Sequence, residues 1–187
     1  MTTYISLLRG INVGGHKKIK MADLRALYAT LDVTNVRSYI QSGNVVFDSA
    51  EQNRQILASQ IETAIEGAYG FYVPVLLRTA DELAQLIEQN PLLSFTDGDG
   101  KNHYVLFLGN LLNETQLAKL GTSIEGKEQF VVLGDAILIY YPNGAGRSKL
   151  STNYFERKLG ISGTMRNWRS VNKLLSMAGE GEGRRKN

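Results

Sequence analysis

Helix-like and strand-like spacings of apolar residues alternate along the first half of the chain. Apolar positions at i, i+3, i+4 and i+7 indicate one buried face of a helix, as at Leu24, Leu27, Tyr28 and Leu31. Short apolar runs that are bounded by glycine or polar residues indicate strands. The predicted strands are residues 4–9, 36–40, 44–47 and 73–77, and the predicted helices lie at 21–31, after 47 and after 79.

The second half shows the same order of elements. Its predicted strands are residues 103–108, 130–133, 136–141 and 162–165, and its predicted helices are 113–120, 151–159 and a last one after Asn167. Each half has the order β-α-β-β-α-β followed by one helix, which is the ferredoxin-like order. We therefore predict an α+β protein of two tandem ferredoxin-like (βαββαβ) subdomains, each followed by an extra helix, packed as a pseudo-dimer. The predicted boundaries are 1–92 and 101–178 for the two subdomains and 179–187 for a disordered tail.

Polar residues and glycines at the ends of these segments predict helix caps. A serine or threonine followed three residues later by Glu or Gln has the spacing of a capping box. The predicted caps are Ser49 with Gln52, Thr79 with Glu82, Ser151 and Asn167 at helix starts, and Gly121 and Gly160 at helix ends.

Landmarks in the same order support an internal duplication. The equivalent pairs are Gly10 with Gly109, Gly43 with Gly134 and Arg78 with Arg166. The offset within these pairs shrinks because each half has one long loop that the other lacks. The first half has residues 10–20 after its first strand, and the second has residues 142–150 after its third strand. We expect strands 1 and 3 to be central and parallel, so that both loops leave the same edge of their sheets, and strand 4 to end at the opposite edge.

The amino-acid composition excludes several classes of protein and site. Of the 187 residues 43% are hydrophobic and none is cysteine, which excludes disulfides, thiolate catalysis and cysteine-metal sites. No apolar run approaches the length of a membrane helix, and the first residues lack the features of a signal peptide. We predict a cytoplasmic protein without a membrane partner. The net charge of +3 is concentrated in the second half, where seven basic residues between 142 and 173 face one acidic residue, Glu156.

The two long loops carry the candidate chemistry. Both are glycine-rich and basic, so that backbone N–H groups and cationic side chains can meet an anion. The candidate ligand-binding residues are Arg9, Asn12, Gly14, Gly15 and Lys17 in the first loop, Arg147, Ser148 and Lys149 in the second, and Arg166 after the last strand. We predict that they bind a small ligand with a phosphate or carboxylate group in a basic, glycine-rich cleft.

Simpler interpretations of both loops stay open. Gly14-Gly15 is also typical of a plain turn, since the spacing fits neither a P-loop nor a dinucleotide fingerprint. The loop before Ser151 is also typical of a flexible approach to a helix N-cap.

Other functions receive less support from the sequence. His16 and His103 have neither metal-like spacing nor a catalytic partner, so we predict no metal site. No cofactor, catalytic residue or oligomeric state is indicated. An enzyme that uses the same cleft is one alternative, and nucleic-acid binding through the basic second half is another. RNA recognition of the RRM type uses aromatics of strands 1 and 3 to stack bases. It is disfavoured because strand 3 of each half, at 43–47 and 134–141, carries mostly aliphatic residues in their place.

Four segments resemble the signature segments of the domain-of-unknown-function family 1697. They are LLRGINVGG at 7–15, YIQSGNVVF at 39–47, GRSKL at 146–150 and MRNW at 165–168. The resemblance extends over nearly the whole chain, to Ala178. It implies a compact, bacterial-type cytoplasmic protein of two related α+β subdomains. It implies no activity, because the biochemical role of that family is unassigned.

Overall fold

The computed structural model describes residues 1–95, 100–120 and 128–183. Most predicted elements form, with ends shifted by a few residues. The strands are β1 (Thr2–Leu8), β2 (Val33–Tyr39), β3 (Asn44–Ser49), β4 (Val75–Thr79), β5 (His103–Leu108), β6 (Gln129–Leu133), β7 (Ala136–Tyr140) and β8 (Gly163–Asn167). The α-helices are α1 (Met21–Tyr28), α2 (Arg54–Tyr69), α3 (Ala80–Glu88), α4 (Glu114–Leu120), α5 (Thr152–Leu159) and α6 (Trp168–Gly183).

The strands form two four-stranded sheets. The orders are β2-β3-β1-β4 in the first sheet and β6-β7-β5-β8 in the second, and every neighbouring pair is antiparallel. The described residues therefore form an α+β fold with two antiparallel sheets and six α-helices. The arrangement is consistent with two similar subdomains.

The two sheets also share their register. Arg78 lies opposite Ile5 in the first sheet, and Arg166 lies opposite Val105 in the second. Each arginine is three residues beyond the first residue of its strand. The predicted equivalence of Arg78 and Arg166 is confirmed.

The glycine landmarks are displaced by one residue. Leu8 donates its backbone N–H to Gly43 O, and Leu108 donates to Asp135 O, each at 2.8 Å. Asp135, not Gly134, is thus the structural equivalent of Gly43.

The same displacement affects the other glycine pair. Arg9 N donates to Pro74 O and Gly109 N donates to Ser162 O, each at 2.9 Å. Gly109 is therefore equivalent to Arg9 and not to Gly10. The predicted pairs matched glycine with glycine, whereas the hydrogen bonds show which backbone positions of the two sheets are equivalent.

The predicted strand directions are partly wrong. β1 and β3 are antiparallel, with Leu7 opposite Asn44 and Thr2 opposite Ser49. The loop after β1 therefore leaves one edge of the first sheet, and β3 ends at the other edge. Because the second sheet repeats this pattern, the long loops after β1 and after β7 leave non-equivalent edges.

One face of each sheet packs with helices of its own unit. In the first sheet Tyr4, Leu8 and Phe47 share a core with residues of α1 and α2. In the second sheet Leu106, Ile137 and Ile139 share a core with Phe155 and Leu159 of α5.

The other face of each sheet is also buried. It carries Ile5, Leu7 and Val46 in the first sheet and Val105, Phe107 and Leu138 in the second, all at most 1% exposed. The aliphatic residues Val46 of β3 and Leu138 of β7 are thus buried, as the composition of these strands predicted. Neither of these faces is accessible to a stacked base.

Local capping signals predicted several helix ends. Thr79 N donates to Glu82 Oε2 at 2.8 Å, and Glu82 N donates to Thr79 Oγ1 at 3.3 Å, which is the predicted capping box. The predicted cap at Ser49 with Gln52 is wrong. Ser49 is the last residue of β3, opposite Thr2, and Asn53 caps α2 instead.

The second half follows its predicted caps more closely. Ser151 caps α5 by accepting from Tyr154 N, and Gly160 ends that helix with a φ of 67°. Asn167 Oδ1 accepts from Ser170 N at 2.8 Å, as predicted for the start of α6. The predicted helix end at Gly121 lies outside the described residues.

The chain divides into two compact units that differ from the predicted boundaries. The first unit comprises Met1–Gln85 with Lys173–Asn187, and the second comprises Leu86–Asn172. Within the first unit Arg37 donates from Nη1 to Met177 O of α6. This contact helps to explain why the end of the chain groups with the first unit.

The predicted disordered tail is helical in part. α6 continues to Gly183, so residues 179–183 belong to a helix, and residues 184–187 lie outside the described ranges. None of the helices described is both long and apolar enough to cross a bilayer.

Candidate functional site

The two glycines of the first loop form a tight turn. Gly14 and Gly15 have φ values of 60° and 80°, and His16 N donates to Val13 O at 3.1 Å. Two consecutive positive φ angles are characteristic of a type I′ hairpin turn, which glycine tolerates. The geometry favours a turn for Gly14-Gly15, the simpler of the two interpretations.

Asn12 holds the first loop together. Its Nδ2 donates to Ile19 O at 2.9 Å and to Gln41 O at 2.8 Å, and its Oδ1 accepts from Ile19 N at 2.9 Å. Both amide hydrogens are used in these contacts. The side chain thus joins the two ends of the loop to each other and to the turn between β2 and β3.

Lys17 also bonds within the first unit. Its Nζ donates to Tyr72 O at 2.7 Å. Ile11 and Ile19 are at most 2% exposed and anchor the loop in the core of the first unit. The exposed basic residues of this loop are His16, Lys18 and Lys20, which were not among the predicted ligand-binding residues.

Arg9 follows β1 directly. Its backbone N–H extends the pairing with β4 by donating to Pro74 O, and its side chain is half-buried. Of the five predicted residues of the first loop, Asn12 and Lys17 thus use their side-chain polar groups to hold the loop in the first unit.

The second loop leaves its cations exposed. It begins after β7, passes Gly144 with a φ of 81° and forms a short 3-10 turn at Ala145–Arg147. Arg147 and Lys149 are exposed, and their side chains make no hydrogen bond or ion pair with any described residue. A Cβ added at Gly146 would meet no atom within 4 Å, so the backbone there is open to a ligand.

Ser148 and Ser151 carry the loop into α5. Ser148 Oγ accepts from Leu150 N at 2.9 Å, and Ser151 Oγ accepts from Tyr154 N at 3.2 Å. Each hydroxyl keeps its hydrogen available for donation. The predicted N-cap and the predicted ligand-binding loop are thus adjacent and compatible.

Tyr141 closes the second loop, a role that the sequence did not reveal. Its hydroxyl donates to Leu150 O at 2.6 Å, and its backbone N donates to Asn102 O at 2.9 Å. Tyr141 and Leu150 are both buried in the core of the second unit. The only available signal was a pair of tyrosines at the end of an aliphatic strand.

A buried histidine lies at the same edge of the second sheet. His103 is 1% exposed, and its ring stacks on Tyr140 with the centroids 4.8 Å apart. This burial agrees with a structural role for His103.

Arg166 lies at this edge too, which corrects the predicted direction of strand 4. β7 ends with Tyr140 opposite His103, and β8 ends with Asn167 opposite Tyr104. The two strands therefore run in the same direction and end at the same edge of the sheet.

The Arg166 side chain, however, is 7% exposed and is bonded internally. Its Nη1 donates to Thr164 Oγ1 at 2.7 Å and to Met165 O at 2.9 Å. Burial lowers the pKa of Arg166 to about 10, so the guanidinium stays charged at neutral pH. The equivalent Arg78 is 5% exposed and donates from Nη1 to Leu77 O, which indicates a shared structural role for the two arginines.

The structure thus separates the predicted site residues into two sets. Those of the first unit are Arg9, Asn12, Gly14, Gly15 and Lys17, and those of the second are Arg147, Ser148, Lys149 and Arg166. A single cleft built from both loops stays a prediction.

Comparison with known proteins identifies the family. A family model described as "Protein of unknown function (DUF1697)" matches residues 1–138. The chain belongs to the DUF1697 family. The matched range contains the first two of the four signature segments, and GRSKL and MRNW lie beyond it.

A solved structure is similar to nearly the whole chain. The chain is similar to a conserved bacterial protein from Streptococcus pneumoniae, with 27% sequence identity and a TM-score of 0.73. The similarity covers 95% of this chain and 98% of the other. Among curated proteins no relative was found.

Proposed function

We propose that the protein binds a small phosphate- or carboxylate-bearing ligand at the second loop, residues 142–150. The observation that carries this proposal is that two cationic side chains of the loop have no partner within the described protein. Arg147 and Lys149 are exposed, and no described residue accepts a hydrogen bond from their side chains. In the first loop, by contrast, the amide of Asn12 and the ammonium of Lys17 already have protein partners.

The chemistry of the second loop suits an anion. The guanidinium of Arg147 can donate two parallel hydrogen bonds to a phosphate or a carboxylate, and Lys149 adds a second positive charge. Gly146 allows close approach to the backbone, and the Ser148 hydroxyl has a hydrogen to donate. The eight-residue helix α5 begins directly after the loop, with its positive end nearest to it.

In this proposal Arg166 attracts the anion by its positive charge and does not contact it. Its side chain is buried, so it acts through the electrostatic potential at this edge of the second sheet. The first loop is left out of the proposed contact set because the side chains of Asn12 and Lys17 already bond within the first unit. A contribution of Arg9, Gly14 and Gly15 stays a prediction.

We also propose that each half is a ferredoxin-like unit that arose by internal duplication. The equal strand orders and the equal registers of Arg78 and Arg166 support this interpretation. Packing as a pseudo-dimer and a cytoplasmic location stay predictions.

Thermal unfolding in the presence of anions tests the ligand proposal. Inorganic phosphate, sugar phosphates, nucleotides and dicarboxylates should be screened against the wild-type protein and Arg147→Ala. A bound ligand at one hundred times its Kd stabilises a protein by about 2.7 kcal/mol, which is roughly 5–10 °C at this chain length. We expect such a shift in the wild type and its loss in Arg147→Ala.

Arg157→Ala is the matched control. Arg157 is an exposed arginine on α5, so its removal changes the net charge equally without touching the loop. The ligand shift should persist in this variant. The proposal fails if no anion stabilises the wild type, or if Arg147→Ala retains the full shift.

The alternatives give different results in the same set of proteins. Binding of nucleic acid to a diffuse basic surface would weaken in both arginine variants and fall steeply with salt. Stacking of bases in the RRM mode has no support, because Ile5, Leu7, Val105 and Phe107 lie in buried faces. An enzyme would consume one of the stabilising ligands, and its pH–rate profile would report the base.

A further inference from the structure

We propose that Tyr141 is the positioning residue of the anion-binding loop, an inference that rests on the proposed function. The residue stands at the start of the loop, and its hydroxyl bonds to the carbonyl of Leu150 at the end of it, at 2.6 Å. One side chain therefore holds together backbone positions that are nine residues apart.

The backbone of Tyr141 completes the closure. Its N–H donates to Asn102 O, which precedes β5, and its carbonyl accepts from Gly144 N, each at 2.9 Å. Tyr141 thus makes one hydrogen bond to the residue before β5, one to the first turn of the loop and one to the end of the loop. Residues 142–149 are enclosed between fixed ends.

The ring of Tyr141 has little room to move. It lies edge-on to Tyr104 with the centroids 5.3 Å apart, and its hydroxyl is 3.7 Å from Met165 Sδ. Its exposed fraction is 1%, and that of Leu150 is 3%. Burial raises the pKa of Tyr141, so the phenol keeps its proton and remains a donor at neutral pH.

Closure matters for Arg147 and Lys149 because a ligand must otherwise order them. Two long side chains on a loose loop lose conformational freedom when they bind, and this loss weakens affinity. A loop that is closed before binding has already lost part of that freedom. The phenol is therefore expected to act on affinity without contacting the ligand.

Tyr141→Phe is the direct test, and Tyr28→Phe is its matched control. Tyr28 is a fully buried phenol of the first unit, with its oxygen 2.7 Å from Ser6 Oγ. Both variants lose one buried hydroxyl and one hydrogen bond, but only Tyr141→Phe opens the loop. Comparing them separates a local effect from a general loss of stability.

Limited trypsin digestion measures how readily the loop opens, because trypsin cleaves after Arg147 and Lys149. We expect Tyr141→Phe to raise the initial cleavage rate at these two sites roughly tenfold, the usual effect of one lost buried hydrogen bond. Tyr28→Phe should leave the rate at these sites within about twofold of the wild type.

Calorimetry with inorganic phosphate, or with the anion that best stabilises the wild type, reads the function. We expect the Kd to rise roughly tenfold in Tyr141→Phe and to stay unchanged in Tyr28→Phe. If the wild type binds no anion, the proposed function fails and this inference fails with it. If the wild type binds, but Tyr141→Phe has an unchanged Kd or an unchanged cleavage rate, only the inference is overturned.

Hydrogen exchange in the wild-type protein keeps the inference testable if Tyr141→Phe does not fold. A closed loop requires slow exchange at the amides of Gly144 and Leu150, which bond to Tyr141 O and to Ser148 Oγ. Exchange of these amides at the rate of an unstructured segment would overturn the inference.

Discussion

The two long loops are both glycine-rich and basic, but the side chains that were predicted to bind a ligand differ in their surroundings. In the loop after β1 the polar groups of Asn12 and Lys17 bond to backbone carbonyls of the first unit. In the loop after β7 the cationic groups of Arg147 and Lys149 face solvent. The first loop is held by the side chains of Asn12 and Lys17, whereas the Tyr141 hydroxyl, which precedes the glycine-rich part of the second loop, bonds to Leu150 at its end.

This difference shows what a glycine-rich basic loop does and does not indicate. Positive φ angles occur in both loops, at Gly14 and Gly15 in the first and at Gly144 in the second. Glycine is needed for these turns whether or not a ligand binds. The informative property is which of the predicted ligand-binding side chains have an acceptor inside the protein: Asn12 and Lys17 have one, whereas Arg147 and Lys149 do not. For these residues the property favours the second loop, although Lys18 and Lys20 of the first loop are also exposed.

If the first loop is part of the fold, the largest effect should come from Gly43→Ala. Gly43 has a φ of 73°, and an added Cβ would lie 2.7 Å from Leu8 Cβ and 2.9 Å from Ile11 Cδ1. Left-handed backbone and overpacking together predict a loss of about 3 kcal/mol. Urea denaturation should show this loss as a lower midpoint with an unchanged slope.

Gly15→Ala is the control for that experiment. Gly15 also has a positive φ, at 80°, but an added Cβ would meet no atom within 4 Å. We expect a loss of about 1 kcal/mol from backbone strain alone. Equal losses in the two variants would contradict the view that Gly43 packs against the anchored loop.

Asn12→Ala should have the next largest effect. It removes two hydrogen bonds to Ile19 near the other end of the loop and one to Gln41 in the turn between β2 and β3. We therefore expect a loss of about 2 kcal/mol in the free energy of unfolding. Asn143→Ala is the counterpart in the second loop, where the side chain is exposed. Its effect should stay within about 0.5 kcal/mol. A larger loss from Asn143→Ala than from Asn12→Ala would reverse the comparison.

Sequence patterns correctly predicted those helix caps that are formed by residues a few positions apart in the chain. The capping box of Thr79 and Glu82 and the caps at Ser151 and Gly160 need contacts only within a few positions. The cap at Ser49 was predicted by the same local rule and is wrong. There the ladder with β1 extends to Ser49, so that pairing across the sheet overrides the local signal.

The site was less predictable because its geometry depends on distant contacts. The role of Asn12 depends on Gln41, which is 29 residues away in the chain. The edge from which each loop leaves depends on strand direction, which apolar spacing does not encode. The charge of Arg166 is evident from the sequence, but its burial is not, because the burial depends on the position of Arg166 in the second sheet.

Alkaline pH should lower the stability of both units to a similar extent, so we expect it to give the smallest difference between them. Burial raises the pKa of Tyr28 in the first unit and of Tyr141 in the second. The unfolded chain loses these protons near pH 10.0 while the folded protein keeps them, so the unfolded state binds fewer protons above that pH. Stability is therefore expected to fall as the pH rises from 9 to 11, by about 1 kcal/mol for each phenol. Urea denaturation across this range should show a shallower fall in Tyr28→Phe and in Tyr141→Phe than in the wild type. A fall that neither substitution makes shallower would show that other groups control the alkaline stability.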